Sequence, residues 1–361
     1  FKQKTAYEIM PSLVGSEMCI RDRPQRGATI ISFNVDGKEL LYCPDITKSG
    51  GIPILWPYAN RIRNSKFTFQ GREINLAGVR GTKDDGRGNV YHGMVRYESW
   101  DVEEVGVNRE GVFIKLSLHT ENYPEIEKHF GKSKITVTYI LQKARLTINT
   151  QVENKDTKDI IMSLAYHPWF NVPRKERWLV KIPAQKYWPS ENQLPLDKPQ
   201  RVEGTRFDLR ELQPIGKRTY DDVLTDLEFE EGKVISLLYN PWGNLLIRLI
   251  QDKSFKHIVF YVPEDKDTIC IEPQTSSTDA FNLYDKGIKE ATTVILKPKE
   301  SFASTITLEV IFPAQNKLSF SKIERAPPSS STLITKKAPG TEAISSQEEE
   351  FLRRVSQELI K

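Results

Sequence analysis

Two of the five histidines keep company suited to proton transfer. His92 lies in Asn89-Val90-Tyr91-His92-Gly93, where the glycine lets backbone or ligand approach closely. His167 opens His167-Pro168-Trp169-Phe170-Asn171. The proline biases it towards an extended conformation, so its ring projects from a stiff strand end. A carboxylate joins them in Thr268-Ile269-Cys270-Ile271-Glu272-Pro273-Gln274-Thr275. With Ile269 and Ile271 facing one way, Glu272 shares the opposite face with Thr268 and Cys270. Desolvation in a cleft would raise its pKa towards a value useful to a general base. Singly, each histidine is more often a satisfied polar residue, and an edge-strand glutamate in water is the simpler account of Glu272. His119 ends an alternating strand, His129 lies in a charged loop and His257 opens an apolar run; all three read as structural. No His-x-His or His-x-x-x-His pair and no carboxylate at ligand spacing occurs nearby, so no metal is expected.

The elements that must position these groups are strands. From about residue 26 to residue 312 the dominant apolar period is two. Ile135, Val137, Tyr139 and Leu141 alternate with polar neighbours; after a Lys143-Ala144 connection, Leu146, Ile148 and Val152 continue on a return strand. Val112, Ile114, Leu116 and Leu118 alternate, as do Phe302, Ile306, Leu308, Val310 and Phe312. Such alternation buries one face of each strand. Asp36-Gly37 is a two-residue hairpin signal, and Gln70-Gly71 sits similarly between two short strands. The segment 160–166 reads as one strand leading into His167. The body is therefore predicted to be all-β, a large antiparallel sandwich or barrel. With neither a Gly-x-Gly-x-x-Gly turn nor a Walker loop, a nucleotide-binding fold is disfavoured.

The candidate groups belong to an ordered series. Gly50-Gly51-Ile52-Pro53-Ile54-Leu55-Trp56-Pro57-Tyr58-Ala59-Asn60-Arg61-Ile62 comes first, then Asn89-x-x-His92-Gly93 and His167-Pro168-Trp169-Phe170-Asn171. Tyr220-Asp221-Asp222-Val223-Leu224 follows, and Glu272-Pro273-Gln274-Thr275 with Asp279-Ala280-Phe281-Asn282 closes the set. The series resembles the aldose 1-epimerase (galactose mutarotase) family across nearly the whole body. The resemblance implies a large antiparallel β-sandwich with an open sugar-binding cleft, and interconversion of α and β anomers of free aldohexoses without a cofactor. Carried over by motif, Glu272 is the general base at the anomeric hydroxyl, His167 the general acid at the ring oxygen, and His92 a second donor there. Arg61, Asp221 and Asn60 bind the sugar. The sequence departs from the family pattern at Trp169, where tyrosine is common, at Leu224, where an aromatic is common, and in a longer polar stretch over 78–88.

Two rivals remain. A hexose 6-phosphate 1-epimerase needs a basic pocket, which Lys83, Arg87 and Arg96 could supply, although Asn60-Arg61-Ile62 fits the free-sugar branch better. A non-catalytic carbohydrate-binding sandwich would keep Trp56 and Trp169 but has no reason to retain Glu272 with two histidines.

Composition agrees with a small neutral substrate. The 52 basic and 48 acidic residues leave a net charge of +4, with no basic stripe of the kind that binds nucleic acid. Cys19, Cys43 and Cys270 are too few and scattered for a disulfide framework or a four-ligand zinc site. No apolar run approaches the ~18 residues of a membrane span. Glu17 interrupts the only apolar stretch near the start, so no signal peptide is read and a cytoplasmic location is expected. The expected organisation is an N-terminal extension over 1–25, a sandwich domain over 26–312, and a linker and tail over 313–361 with a short helix near 348–359. In the extension, SLVGSEMCIRDR resembles translated adapter sequence, and no function is assigned to it.

Overall fold

A computed structural model of the chain describes residues 12–15, 18–45 and 49–313. The helix expected near 348–359 lies outside the described residues. Strands dominate, as the two-residue period requires. Ser133–Gln142 pairs antiparallel with Arg145–Asn154 along its whole length, joined by the Lys143-Ala144 turn. Asp36 and Gly37 have φ of 49° and 76°, and Gln70 and Gly71 have 51° and 76°. Positive φ at both central residues matches the twist of a tight hairpin.

Two large sheets enclose the core. The first runs Asp101–Asn108, Gly111–His119, Ser133–Gln142, Arg145–Asn154, Ser301–Ile311, Leu245–Asp252, Lys233–Asn240, Leu179–Lys181 and Gln213–Pro214. The second runs Gln200–Arg201, Ala184–Tyr187, Tyr220–Leu227, His257–Val262, Thr268–Gln274, Ala165–Tyr166 and Ile54–Leu55, with Trp169–Asn171 also on Thr268–Gln274. Ile135, Val137 and Tyr139 from the first sheet share one apolar cluster with Ile258, Phe260, Ile269 and Ile271 from the second. Each such side chain, once fully buried, contributes about 1.5–3 kcal/mol. The fold is an antiparallel β-sandwich.

Register in the second sheet sets the other face. Asp221 lies opposite Tyr261, Tyr261 opposite Cys270, and Cys270 opposite Trp169. Glu272 is opposite Val259, in the next position on the same face. Because Ile269 and Ile271 enter the core, Cys270 and Glu272 point away from it.

Three details differ from the sequence reading. The segment 160–166 is two strands: Ile160–Met162 pairs with Val294–Leu296, while Ala165–Tyr166 joins the second sheet. The chain crosses over at Ser163, whose amide donates to the Pro57 carbonyl and whose hydroxyl accepts from Ala59 N. His129 lies on a helix, Pro124–Phe130, with proline at its start, glutamates in its first turn and Lys128 and His129 in its last, an arrangement that suits the helix dipole. Met18–Arg23 forms a strand against Thr29–Val35, so sheet pairing extends into a segment for which no element is predicted. Among the described residues, no helix is long and apolar enough to cross a membrane.

Gly93, immediately after His92, has φ +70°, and a Cβ there would sit 2.4 Å from the Trp56 carbonyl oxygen. Gly93→Ala should therefore destabilise the fold by more than about 1 kcal/mol. Urea denaturation checks this; an unchanged midpoint would show that the Trp56 contact is not tight.

Candidate active site

Three groups from distant parts of the sequence meet on the outer face of the second sheet. His167 Nε2 lies 3.2 Å from Glu272 Oε1, and the His92 ring stands edge-on to that of His167 at 5.3 Å. Glu272 is 2% exposed and His167 5%, which removes the account of Glu272 as a water-exposed edge glutamate. His167 is held from both sides. Its amide donates to the Pro53 carbonyl, and Trp169 N donates to the Gly51 carbonyl, so the Gly50–Pro57 motif backs the strand that carries it. Its ring stacks on Trp169 at 4.9 Å with 4° between planes, and Tyr261 stands edge-on to both rings.

Burial drives this pair towards charge neutrality. It pushes the Glu272 carboxyl well above the usual carboxylate range, with the Asp221 charge adding to the effect, while Gln274, Arg61 and Arg96 oppose it. Burial pushes the His167 imidazole down to about 3, with Arg96 adding. Both shifts favour uncharged forms in a dry pocket. At 3.2 Å the two groups are close enough for their titrations to be coupled.

Arg61 and Asn60 reach the site beside His92. Asn60 O accepts from His92 N, and Arg61 pairs with Tyr91 in a small sheet. The Arg61 guanidinium is already fixed: Nε donates to Asp85 Oδ2 at 3.3 Å and Nη1 to Asn60 Oδ1 at 3.1 Å. Asp85 comes from the long polar stretch and also accepts from Asn89 Nδ2 and from the amides of Arg87 and Asn89. Burial pushes its carboxyl up, but these donors and Arg61 outweigh that and hold it low. Asp279 braces the same segment from below, its amide donating to Arg61 O and its carboxylate accepting from Arg63 N. Of the quoted motifs, Asn89 and Asp279 therefore act as struts.

Asp221 lies across the sheet from this cluster, close enough to raise the Glu272 pKa. Burial raises its own pKa, Arg61 opposes, and Asp222 adds. Asp222 is turned aside to Arg206, Oδ2 accepting from Nη2 at 3.1 Å, which separates the roles of the adjacent aspartates. Asp221 and Tyr261 line a groove of about 430 Å³ with Asn192, Arg206 and Asp222. Both signs of charge therefore act on Glu272, Asp221 raising its pKa and Arg61 and Arg96 lowering it.

Sequence reasoning missed Asp85 and Tyr261. The turn-like Asp84-Asp85-Gly86 was the only local hint of the first. Alternation against Ile258 and Phe260 could have found the second, whose hydroxyl is pushed up to about 12 by burial and by Cys270, Asp221 and other neighbours. Cys270 was placed on the correct face. His167, Cys270 and Glu272 present donor atoms within 4.8 Å of one another, a set that could ligate a metal. Doing so would break the His167–Glu272 contact and remove the proton from a thiol that burial pushes up.

A family model described as aldose 1-epimerase matches residues 22–309. The chain belongs to this family. It is 27% identical over 171 residues to aldose 1-epimerase of Haemophilus influenzae, covering 44% of this chain and 45% of that protein. It is 31% identical over 206 residues to galactose mutarotase of Sus scrofa, covering 55% of each. The matches span about half the length of these curated relatives. In fold, this family member resembles a galactose mutarotase-like protein from Clostridium acetobutylicum, with TM-score 0.72, 20% identity, and 83% and 94% of the two chains covered. A galactose mutarotase related enzyme from Lactobacillus acidophilus gives TM-score 0.66 at 18% identity, covering 84% of this chain and 97% of that one.

His257, outside the site, supplies a stability test. Thr292 Oγ1 donates to Thr275 O, so His257 Nε2 donates to Thr292 Oγ1 at 2.9 Å, and burial pushes this ring down to about 3. The unfolded chain takes up that proton near pH 6.5 and the folded chain only near 3. Stability held at neutral pH is therefore lost as pH falls between those values. In urea denaturation, His257→Gln should lose on the order of 1 kcal/mol less than the parent between pH 7 and pH 5. Equal losses would exclude this ring as a source of acid sensitivity.

Proposed function

We propose that the chain is an aldose 1-epimerase interconverting the α and β anomers of free aldohexoses, with the unit spanning residues 26–312 acting on the sugar. One observation carries the reading. The two oxygens that exchange protons when a hemiacetal opens are bonded to the same carbon, so the groups serving them must be neighbours. His167 Nε2 and Glu272 Oε1 are 3.2 Å apart.

In the proposed cycle, ionised Glu272 takes the proton from the anomeric hydroxyl while protonated His167 gives one to the ring oxygen. The bond from C1 to the ring oxygen breaks, leaving the free aldehyde. Rotation about C1–C2 presents the other face of the carbonyl, and the same steps in reverse close the ring. The pair carries one proton throughout, on His167 before opening and on Glu272 after it. Neutralisation by burial favours the arrangement that accompanies the open chain, while Arg61 and Arg96 support the ionised carboxylate before it. His92 is a second donor to the ring oxygen. Arg61, held by Asp85 and Asn60, presents its remaining N–H groups to sugar hydroxyls; Asn60 and Asp221 complete the polar contacts. A positioned acid or base contributes roughly 10²–10⁴-fold, so two acting together supply on the order of 10⁴–10⁸-fold without a covalent intermediate.

A hexose 6-phosphate substrate is the second reading, favoured by the buried Arg96 beside His92. The free-sugar reading is preferred because Arg61 and Arg96 already have partners and the groove beside Asp221 carries Asp221, Asp222 and Glu264 against a single arginine, Arg206. Turnover of glucose against glucose 6-phosphate separates the two; a large preference for the phosphate would overturn the choice.

In polarimetry of freshly dissolved α-glucose, Glu272→Gln should lose at least about 10²-fold of the acceleration while keeping its thermal midpoint and sugar binding. Near-full activity would show that the base is misassigned. Asp85→Ala should raise KM about tenfold, the loss of roughly 1.4 kcal/mol of orientation at Arg61, with kcat changed much less. A fall in kcat at constant KM would place Asp85 in the chemical step instead.

A further inference from the structure

In the cycle above Arg96 acts only at a distance, through its charge on Glu272, yet it is 7% exposed and faces the His92 ring. The turn between them explains how it arrives there. The amides of Met94 and Val95 both donate to the Trp56 carbonyl, so the chain after Gly93 wraps that carbonyl and returns Arg96 towards His92. The guanidinium is then held at two ends, Nη1 lying 3.4 Å from His92 Nδ1 and Nη2 donating to Ser49 Oγ at 3.3 Å. The imidazole is equally constrained. Its backbone has φ of 65°, its amide is bonded to Asn60 O, and its ring meets Tyr91 edge-on at 4.5 Å.

A guanidinium has donors only and does not lose its proton in proteins. The nitrogen facing it must therefore offer a lone pair, which leaves the single proton of a neutral imidazole on the other nitrogen. We infer that Arg96 is a positioning residue that fixes His92 as the Nε2–H tautomer and so makes that ring a hydrogen-bond donor to the sugar's ring oxygen. This inference rests on the mutarotase reading for its last step, but the tautomer follows from the contact alone. Nε2 has no hydrogen-bond partner among the described residues, so its proton is available to a ligand. Placing a fixed cation beside His92 also disfavours imidazolium there, in line with the downward shift of His92, which is due first to burial and then to the charges of His167 and Arg96. The two histidines thereby divide the work: His167 transfers a proton, and His92 donates a hydrogen bond without releasing one.

The experiment is ¹⁵N NMR of histidine-labelled protein, with the His92 signals assigned by their loss in His92→Gln, alongside kinetics of Arg96→Met and Arg96→Lys. The parent should show His92 neutral with its proton on Nε2. Arg96→Met should lose that preference and drop kcat about tenfold or more, as for other residues that orient a catalytic imidazole, with KM for glucose little changed. Arg96→Lys, which keeps a donor, should recover part of both. A proton on Nδ1 in the parent, or an Arg96→Met protein with parental tautomer and kcat, would overturn the inference. So would an effect confined to KM for glucose 6-phosphate, since that marks an anion-binding arginine. If Arg96→Met fails to fold, the parent spectrum still decides the tautomer. If the parent does not accelerate mutarotation, the functional reading fails while the tautomer is judged on its own.

Discussion

The contact between His167 and Glu272 is the constraint around which the rest of the site is arranged. A carboxyl and an imidazole in contact, both almost fully buried, are stable there only because they can share one proton and remain neutral overall. Two unpaired charges in the same place would each cost several kcal/mol. Remove Glu272 and the buried His167 Nε2 loses its partner, while loss of His167 leaves Glu272 with only the long hydrogen bond from Gln274. The sandwich supplies the dryness, and the stacked Trp169 and edge-on Tyr261 fix the ring geometry.

That contact depends on register. Asp221, Tyr261, Cys270 and Trp169 form one row across four strands, and His167 precedes Trp169 by two residues, on the same side. A slip of one residue in Thr268–Gln274 would turn Glu272 into the core and bring Ile271 out. Ile269 and Ile271, packed in the core cluster, resist that slip. Apolar packing on one face of a strand thus fixes the acid–base geometry on the other. A second layer then aims the polar groups around it: Asp85 and Asp279 hold Arg61 and its neighbours, and Arg96 meets His92.

Much of this was legible in the sequence, for physical reasons. The period of two over 133–154 and the paired Asp36-Gly37 and Gln70-Gly71 turns are local properties, and each produced the expected hairpin. The facing of Glu272 followed from Ile269 and Ile271 alone. What could not be read was anything requiring partners far apart in the chain. Asp221 and Trp169 reach the same row only through Tyr261 and Cys270 between them. Asp85 grips Arg61 from a stretch that looks like a polar loop. The segment 160–166 looked like one strand because its apolar residues are continuous, but Ser163 is recruited by Pro57 and Ala59 and the chain changes sheets there. Resemblance to the aldose 1-epimerase family supplies the roles; spacing alone does not distinguish either histidine from a satisfied structural one.

The central claim is that this chain, through one shared proton, catalyses the opening and closing of an aldose ring. Exchange NMR on glucose already at anomeric equilibrium tests it most directly, because no net reaction or coupled enzyme is involved. The account predicts exchange between the α and β anomeric signals that grows in proportion to protein concentration at neutral pH. An exchange rate equal to that of buffer alone, with correctly folded protein present, would contradict it.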